Sequence, residues 1–148
     1  EHEKDVYIIV AGSGDMEEKI ISLTADLGIN HHFIFTGYYT LDEQADLFSL
    51  ADLLVMPSVS EPFGIIPLES MSNGTPVIIS KQSGVSEVVT HALKVDFWDT
   101  EAIANNILAV LRHPVLKETL QKEGYRQVHG ITWEKAAQKI KAIYHSFA

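Results

Sequence analysis

The chain has 148 residues, 46% apolar and 21% charged, with a formal net charge of −9 and no cysteine. That is enough for one domain with a sizeable core, and it excludes a disordered chain, disulfides and thiolate metal sites. The acidity argues against a nucleic-acid surface, no apolar run nears the ~20 residues of a membrane-spanning helix, and the charged opening EHEKDVYIIVAG does not read as a signal peptide.

Val6–Ala11 is a continuous β-branched and apolar run, expected as a buried central strand. Gly12-Ser-Gly-Asp15 punctuates it. Asp15 is the expected cap of a helix reaching about Leu27, with Met16, Ile20, Leu23 and Leu27 on one face and Gly28 as the stop. His32–Thr36 reads as a second strand ended by Gly37, and Asp42 opens a short helix carrying Leu47, Phe48 and Leu50. Asp52–Met56 is the third strand, stopped by Pro57.

The spacing then predicts a helix over Pro67–Asn73 closed by Gly74, and a fourth strand over Pro76–Ile79. A short helix is expected over Val85–Thr90 and a short edge strand over Leu93–Phe97. Asp99 or Thr100 caps a helix running to about Arg112, before Pro114. Leu116–Val128 and Trp133–Phe147 read as two more helices, the last serving mostly as core, with any exposed apolar remainder open to a partner domain.

Strands alternating with helices at short intervals give an α/β fold, a Rossmann-like parallel sheet with helices on both faces. Ligands of such sheets bind beyond the carboxyl ends of the strands. Three loops therefore matter: Gly12–Asp15, Ser58–Pro67 and Ser80–Gly84. No Lys or Arg occurs from Ile20 to Ser80, so an anion held there must rely on backbone N–H groups and helix N-termini, or on cations from elsewhere.

In the first loop, Gly12, Ser13 and Gly14 let a ligand approach the backbone. A dinucleotide fingerprint needs a third glycine three residues after Gly14, where Glu17 stands, and a plain strand–helix turn explains the loop as well. In the second, Glu61 and Glu69 fit acid–base work, recognition of vicinal hydroxyls, or simple solvation. Glu69 is expected in the first turn of a helix, where the dipole favours a carboxylate. Phe63-Gly-Ile-Ile-Pro67 offers amides as a phosphate cradle without side-chain charge, and Ser83-Gly84 is a second candidate of that kind. The seven histidines show no ligand spacing, no D-x-D occurs, and neither G-x-S-x-G nor Walker A is present.

The ordered motifs Glu61-Pro-Phe-Gly-Ile-Ile-Pro-Leu-Glu69 (E-x7-E), Met71-Ser-Asn-Gly-Thr-Pro-Val77 and Ser83-Gly-Val-Ser-Glu-Val88 resemble the retaining nucleotide-sugar glycosyltransferases of the GT-B type. The likeness is greatest to glycosyltransferase family four and the related glycogen synthases. Ala11-Gly-Ser-Gly-Asp15, Phe35-Thr-Gly-Tyr38 and Ala51–Ser58 are similar too, so the likeness runs from Val6 to Tyr144.

The resemblance implies that Glu69 bonds the donor ribose, that Glu61, the catalytic residue, holds the transferred sugar near its anomeric carbon with the amides of Phe63, Gly64 and Ile65, and that Pro62 and Ile66 also belong to the donor site. Tyr38 would meet the nucleobase, and Gly12–Gly14 with Ser83 and Gly84 would lie near the donor or acceptor. It further implies a hexose-type transfer with retention, without metal or other cofactor. The family's R-x4-K pair, which neutralises the leaving diphosphate, would precede Val6 and is not in this chain. The chain is thus expected to be the C-terminal, donor-binding half of a cytoplasmic or membrane-peripheral enzyme. Its N-terminal acceptor domain, which receives a glycan or lipid-linked acceptor, lies elsewhere, and turnover by this half alone is not expected. A non-catalytic Rossmann-like regulatory module and a GT-B sugar-nucleotide epimerase are the competing readings.

Overall fold

The computed structural model describes residues 6–147. The charged opening Glu1–Asp5, used above in the signal-peptide argument, lies outside the described residues. Among the described residues, five strands and six helices form an α/β fold in which strands and helices alternate as far as β4 and three helices follow β5; every strand pair is parallel, with helices on both faces. The strands pair in two sheets rather than one, and the chain divides into two compact units at Gln44/Ala45.

The first unit holds β1 (Ile8–Ala11), α1 (Glu17–Asp26) and β2 (Phe33–Gly37), entered through a 3-10 turn at Asn30–His32. β1 pairs with β2 from Ile8↔Phe33 onward. The expected burial of β1 is not found: Ile8 and Ile9 are 44% and 39% exposed, because a two-stranded sheet leaves its strands little cover. Asp15 does not cap α1 either. Met16 occupies that position without a side-chain bond, and Ser13 Oγ donates to Glu17 Oε2 instead. The helix does stop at Gly28, which adopts φ +68° and donates to Ala25 while Ile29 donates to Thr24, closing the last turn with its own carbonyls.

α2 (Leu41–Leu50) runs across the boundary. Its cap is Thr40 and not Asp42: the Thr40 N–H and hydroxyl both donate to Glu43 Oε2, and the Glu43 N–H returns a bond to Thr40 Oγ1.

The second unit contains β3 (Leu54–Met56), α3 (Ile65–Ser72), β4 (Val77–Ser80), β5 (Leu93–Val95), α4 (Thr100–Arg112), α5 (Pro114–Val128) and α6 (Trp133–Ser146). Its sheet has the order β3-β4-β5. All four residues of β4 are buried, as a central strand covered on both faces requires. Val77 and Ile79 join Met71, Val85 and Val89 in the core, with Leu54, Met56, Leu68, Ala92 and Val128 packed around them. The period-two alternation sends Ile78 and Ser80 to the other face, also buried. The segment expected as a helix over Val85–Thr90 is a single 3-10 turn, Gly84–Glu87. Asp99 caps α4 as expected, its carboxylate accepting from the Ala102 N–H.

α6 departs furthest from expectation. Its period is helical and Thr132 caps it, yet it buries no residue: Trp133 is 88% exposed and Tyr144 74%. It is not core packing among the described residues, because no element of the unit closes over its apolar face.

Candidate functional site: the loops beyond the strand ends

In the first unit the candidates cluster where β1 and β2 end. The Gly12 N–H donates to the Gly37 carbonyl at 2.9 Å, so the Gly12–Gly14 loop and the segment opening at Tyr38 emerge side by side. Tyr38 is 88% exposed, available to stack against a planar group. Ala11–Gly14 with Val10, Met16, Glu17 and Ile20 lines a shallow depression of about 250 Å³. Glu17, standing where a dinucleotide fold needs glycine, places a carboxylate beside this loop and consumes the Ser13 hydroxyl. A pyrophosphate seated on the first turn of α1 would meet that charge at close range.

In the second unit the chain leaves β3 at Pro57, crosses Ser58–Phe63 and enters α3 through Gly64. Gly64 is buried at φ +93°, and a β-carbon there would lie 3.1–3.3 Å from Met56, Glu61 and Val85. Only glycine combines that conformation with that space. α3 therefore begins at Ile65, two residues earlier than expected. The N–H groups of Gly64, Ile65 and Ile66 donate to no protein acceptor among the described residues. They form the positive end of α3. Glu61 is half-buried beside them, and its Oε1 accepts from the Phe63 N–H at 3.4 Å. Pro62, Phe63 and Ile65 are exposed and Ile66 half-buried.

The early start of α3 corrects the placement of Glu69. It is the fifth residue of the helix, in the second turn, and the first turn holds no acid. The macrodipole argument does not apply to it, because that effect fades beyond the first turn. Glu69 is half-buried, and its backbone carbonyl receives the Ser72 hydroxyl and the Asn73 side-chain amide, which fix the far end of α3.

Ser83 and Gly84 are not a second open cradle. The Gly84 N–H donates to the Glu61 carbonyl at 3.0 Å, the Val85 N–H donates to the Phe63 carbonyl, and the Ser86 N–H donates to the Ser83 carbonyl. The Ser83 N–H is taken by the Ser80 carbonyl, so these amides are engaged, and those of Gly84 and Val85 hold the Glu61 loop. The sequence reading placed Ser58 and Ser80 in candidate loops and Val85 in a motif, but gave none of them a part in this contact. A hydroxyl bonded across 22 residues of chain leaves no local signature.

Two carboxyl groups outside the Glu61 loop are lowered, Asp96 by residues of the Ser80–Gly84 loop. Glu43 is held below the usual carboxylate range by hydrogen bonds from the Thr40 backbone and hydroxyl. Asp96 is lowered by the Lys81 ammonium and the Gln82 side-chain amide. Among the described residues, no group of three or more His, Asp or Glu side chains is placed to hold a metal ion, and no helix is long and apolar enough to cross a membrane.

Parallel strands, glycine-bearing loops at their carboxyl ends and a helix N-terminus opening beside an acid define a ligand-binding α/β domain. Comparison with known proteins narrows the class. Residues 1–127 match the family described as Glycosyl transferases group 1. An uncharacterized glycosyltransferase of Methanocaldococcus jannaschii is 32% identical over 142 residues, which is 93% of this chain and 36% of that protein. The phosphatidyl-myo-inositol mannosyltransferase of Mycobacterium leprae is 31% identical over 97% of the chain and 39% of its own length. Among solved structures, sucrose-phosphate synthase of Thermosynechococcus elongatus superimposes with a TM-score of 0.79 at 29% identity, over 94% of this chain and 38% of the other. The fold alone is shared with Anabaena HepE, solved with UDP-glucose: TM-score 0.83 at 21% identity, over 97% of this chain and 42% of that one.

The chain belongs to the group 1 glycosyl transferases, of the family-four type, and corresponds to the C-terminal half of their GT-B architecture. It spans well under half the length of these relatives.

Proposed function

We propose that this chain is the donor-binding half of a retaining, metal-independent glycosyltransferase that moves a hexose-type sugar from a nucleoside diphosphate to a glycan or lipid-linked acceptor. The observation that carries the reading is the Glu61 loop. It sets one carboxylate beside three amides, of Gly64, Ile65 and Ile66, that have no acceptor among the described residues at the start of α3. Nucleotide sugars have that pattern of charge: hydroxyls on one side of the anomeric carbon, anionic phosphate oxygens on the other.

In this reading Glu61 accepts hydrogen bonds from sugar hydroxyls, and the α3 amides face the donor where negative charge grows. Glu69 holds the ribose, and Tyr38 with the Gly12–Gly14 loop meets the base and its surroundings. The bond from the anomeric carbon to the phosphate oxygen breaks with its electron pair leaving on the diphosphate. The acceptor oxygen bonds on the same face, and its proton passes to the departing phosphate oxygen. The half-charge of a helix end offsets only part of a diphosphate's charge. Cations must therefore come from outside Ile20–Ser80, where none occurs. An R-x4-K pair ahead of Val6 would supply them, and an N-terminal domain would supply the acceptor. Support comes from the family match and from the UDP-glucose bound by HepE, a protein of the same fold.

Calorimetry with UDP, GDP and ADP, each alone and as its glucose conjugate, tests the reading. One nucleotide binds in the millimolar range or tighter, and its sugar conjugate binds better. Glu69→Ala weakens nucleotide and conjugate alike, whereas Glu61→Ala removes only the gain from the sugar. Failure of every nucleotide to bind at millimolar concentration, or equal and negligible effects of the two substitutions, would refute it.

A further inference from the structure

The Glu61 loop is tied to the end of β4 and the segment after it at three points, and none involves a charge. The Ser80 hydroxyl donates to the Ser58 carbonyl at 2.6 Å, the Gly84 N–H donates to the Glu61 carbonyl at 3.0 Å, and the Val85 N–H donates to the Phe63 carbonyl. A fourth bond secures the anchor itself: Ser83 Oγ donates to the Ser80 carbonyl at 2.7 Å. Ser80 is fully buried and Ser83 98% so, both on or beside the central strand. Gly84 sits so close that a β-carbon would fall 2.1 Å from the Pro62 carbonyl oxygen.

We propose that Ser80 is a positioning residue for the sugar end of the donor site. It touches no ligand in this scheme; its hydroxyl pins the first residue of the loop whose fourth residue is Glu61. Buried hydroxyls keep a hydrogen-bond partner, so this one persists in the folded state and fixes where the loop leaves the sheet. With Ser58 fixed at one end and Gly64 locked at the other, Glu61 and the α3 amides keep a constant separation. The assignment rests on the donor-site reading of Glu61, and the test separates the two.

The experiment compares Ser80→Ala with Ser70→Ala in the same chain. Ser70 is equally buried, but its hydroxyl donates to the Thr75 carbonyl at the other end of α3. Ser83→Ala, which removes only the anchor's own bond, is the milder variant should Ser80→Ala not fold. Two readouts are taken: amide hydrogen exchange by NMR, and the affinity gain of UDP-, GDP- or ADP-glucose over the parent diphosphate. Loss of one hydrogen bond is expected to speed exchange at Gly84 and Val85 about 10-fold. The sugar-dependent gain should fall at least ~5-fold, with affinity for the bare diphosphate held. Ser70→Ala should leave both unchanged. Unaltered exchange at Gly84 and Val85 overturns the tie, and faster exchange with an intact sugar-dependent gain overturns the positioning role. If the unsubstituted chain gains nothing from the sugar, the donor reading of Glu61 is what fails, and exchange alone then decides whether Ser80 holds the loop.

Discussion

Replacing Gly84 by alanine tests the fit of the Glu61 loop against its neighbour. The φ of Gly84 lies outside the left-handed region, so backbone conformation is not what demands glycine there. Proximity does: the added methyl would meet the Pro62 carbonyl oxygen at 2.1 Å, its carbon at 2.9 Å and Phe63 Cα at 3.0 Å. Reaching an ordinary 3.4 Å contact moves the two segments apart by about 1.3 Å, and all the obstructing atoms are backbone. Overpacking of this kind costs about 1–3 kcal/mol, and the Gly84 and Val85 hydrogen bonds that stretch with it are each worth roughly 1 kcal/mol. The expected loss is about 3–5 kcal/mol, or about 9–15 °C in melting temperature for a domain of this size.

Gly74→Ala is the internal standard. Gly74 has φ +79° and open space around it, so alanine there suffers only the left-handed penalty of roughly 1–2 kcal/mol. Both variants are melted by circular dichroism at one protein concentration. Should Gly84→Ala melt no lower than Gly74→Ala, close approach is not what shapes this loop, and the account of it is wrong.

Met71→Ala, which empties a site buried among Val77, Ile79, Val85 and Val89, is expected to cost about 2–5 kcal/mol in urea unfolding with little change in slope. The Glu43 carboxyl should titrate by NMR below a free glutamate, and Thr40→Ala, which removes the hydroxyl but keeps the backbone N–H that lowers it most, should raise it only part of the way. Because its folded value is lowered, its contribution to stability is present above the unfolded carboxyl value and fades as pH falls through the folded one. Asp96 should behave likewise, with Lys81→Met raising it. In α6 the amides should exchange faster than those of α4 or α5, and Trp133 should fluoresce at a solvent-exposed wavelength, since an isolated helix of 14 residues is marginal in water.

The elements and their order were legible because punctuation was. Gly28, Gly37, Gly74, Pro57 and Pro114 mark stops or starts whose chemistry is local, and each falls at an element boundary or next to one. Helix starts were harder. Asp15 and Asp42 drew attention as acids near N-termini, although Thr40-x-x-Glu43 spelled a capping box that could have been read. The start of α3 was out of reach, since a left-handed glycine ahead of a helix depends on Met56 and Val85 pressing from elsewhere in the fold. Glu69 was misplaced in its helix for that reason alone. The periodicity of α6 gave its amphipathic character correctly, but a stripe does not specify what faces it. The E-x7-E pattern delivered the family, and the Ser80–Gly84 loop was singled out with it, but the bonds of the Ser80 and Ser83 hydroxyls to backbone carbonyls left no mark in the sequence.

The ties that hold the Glu61 loop are neutral donors on neutral carbonyls, so neither added salt nor a change of pH between the carboxylate and lysine ranges acts on them directly. An ionic-strength series on nucleotide binding would then read out the ligand's own phosphates and the cations they meet. Any salt sensitivity that tracks the number of phosphates, and not the presence of the sugar, reports on charges supplied from beyond this loop.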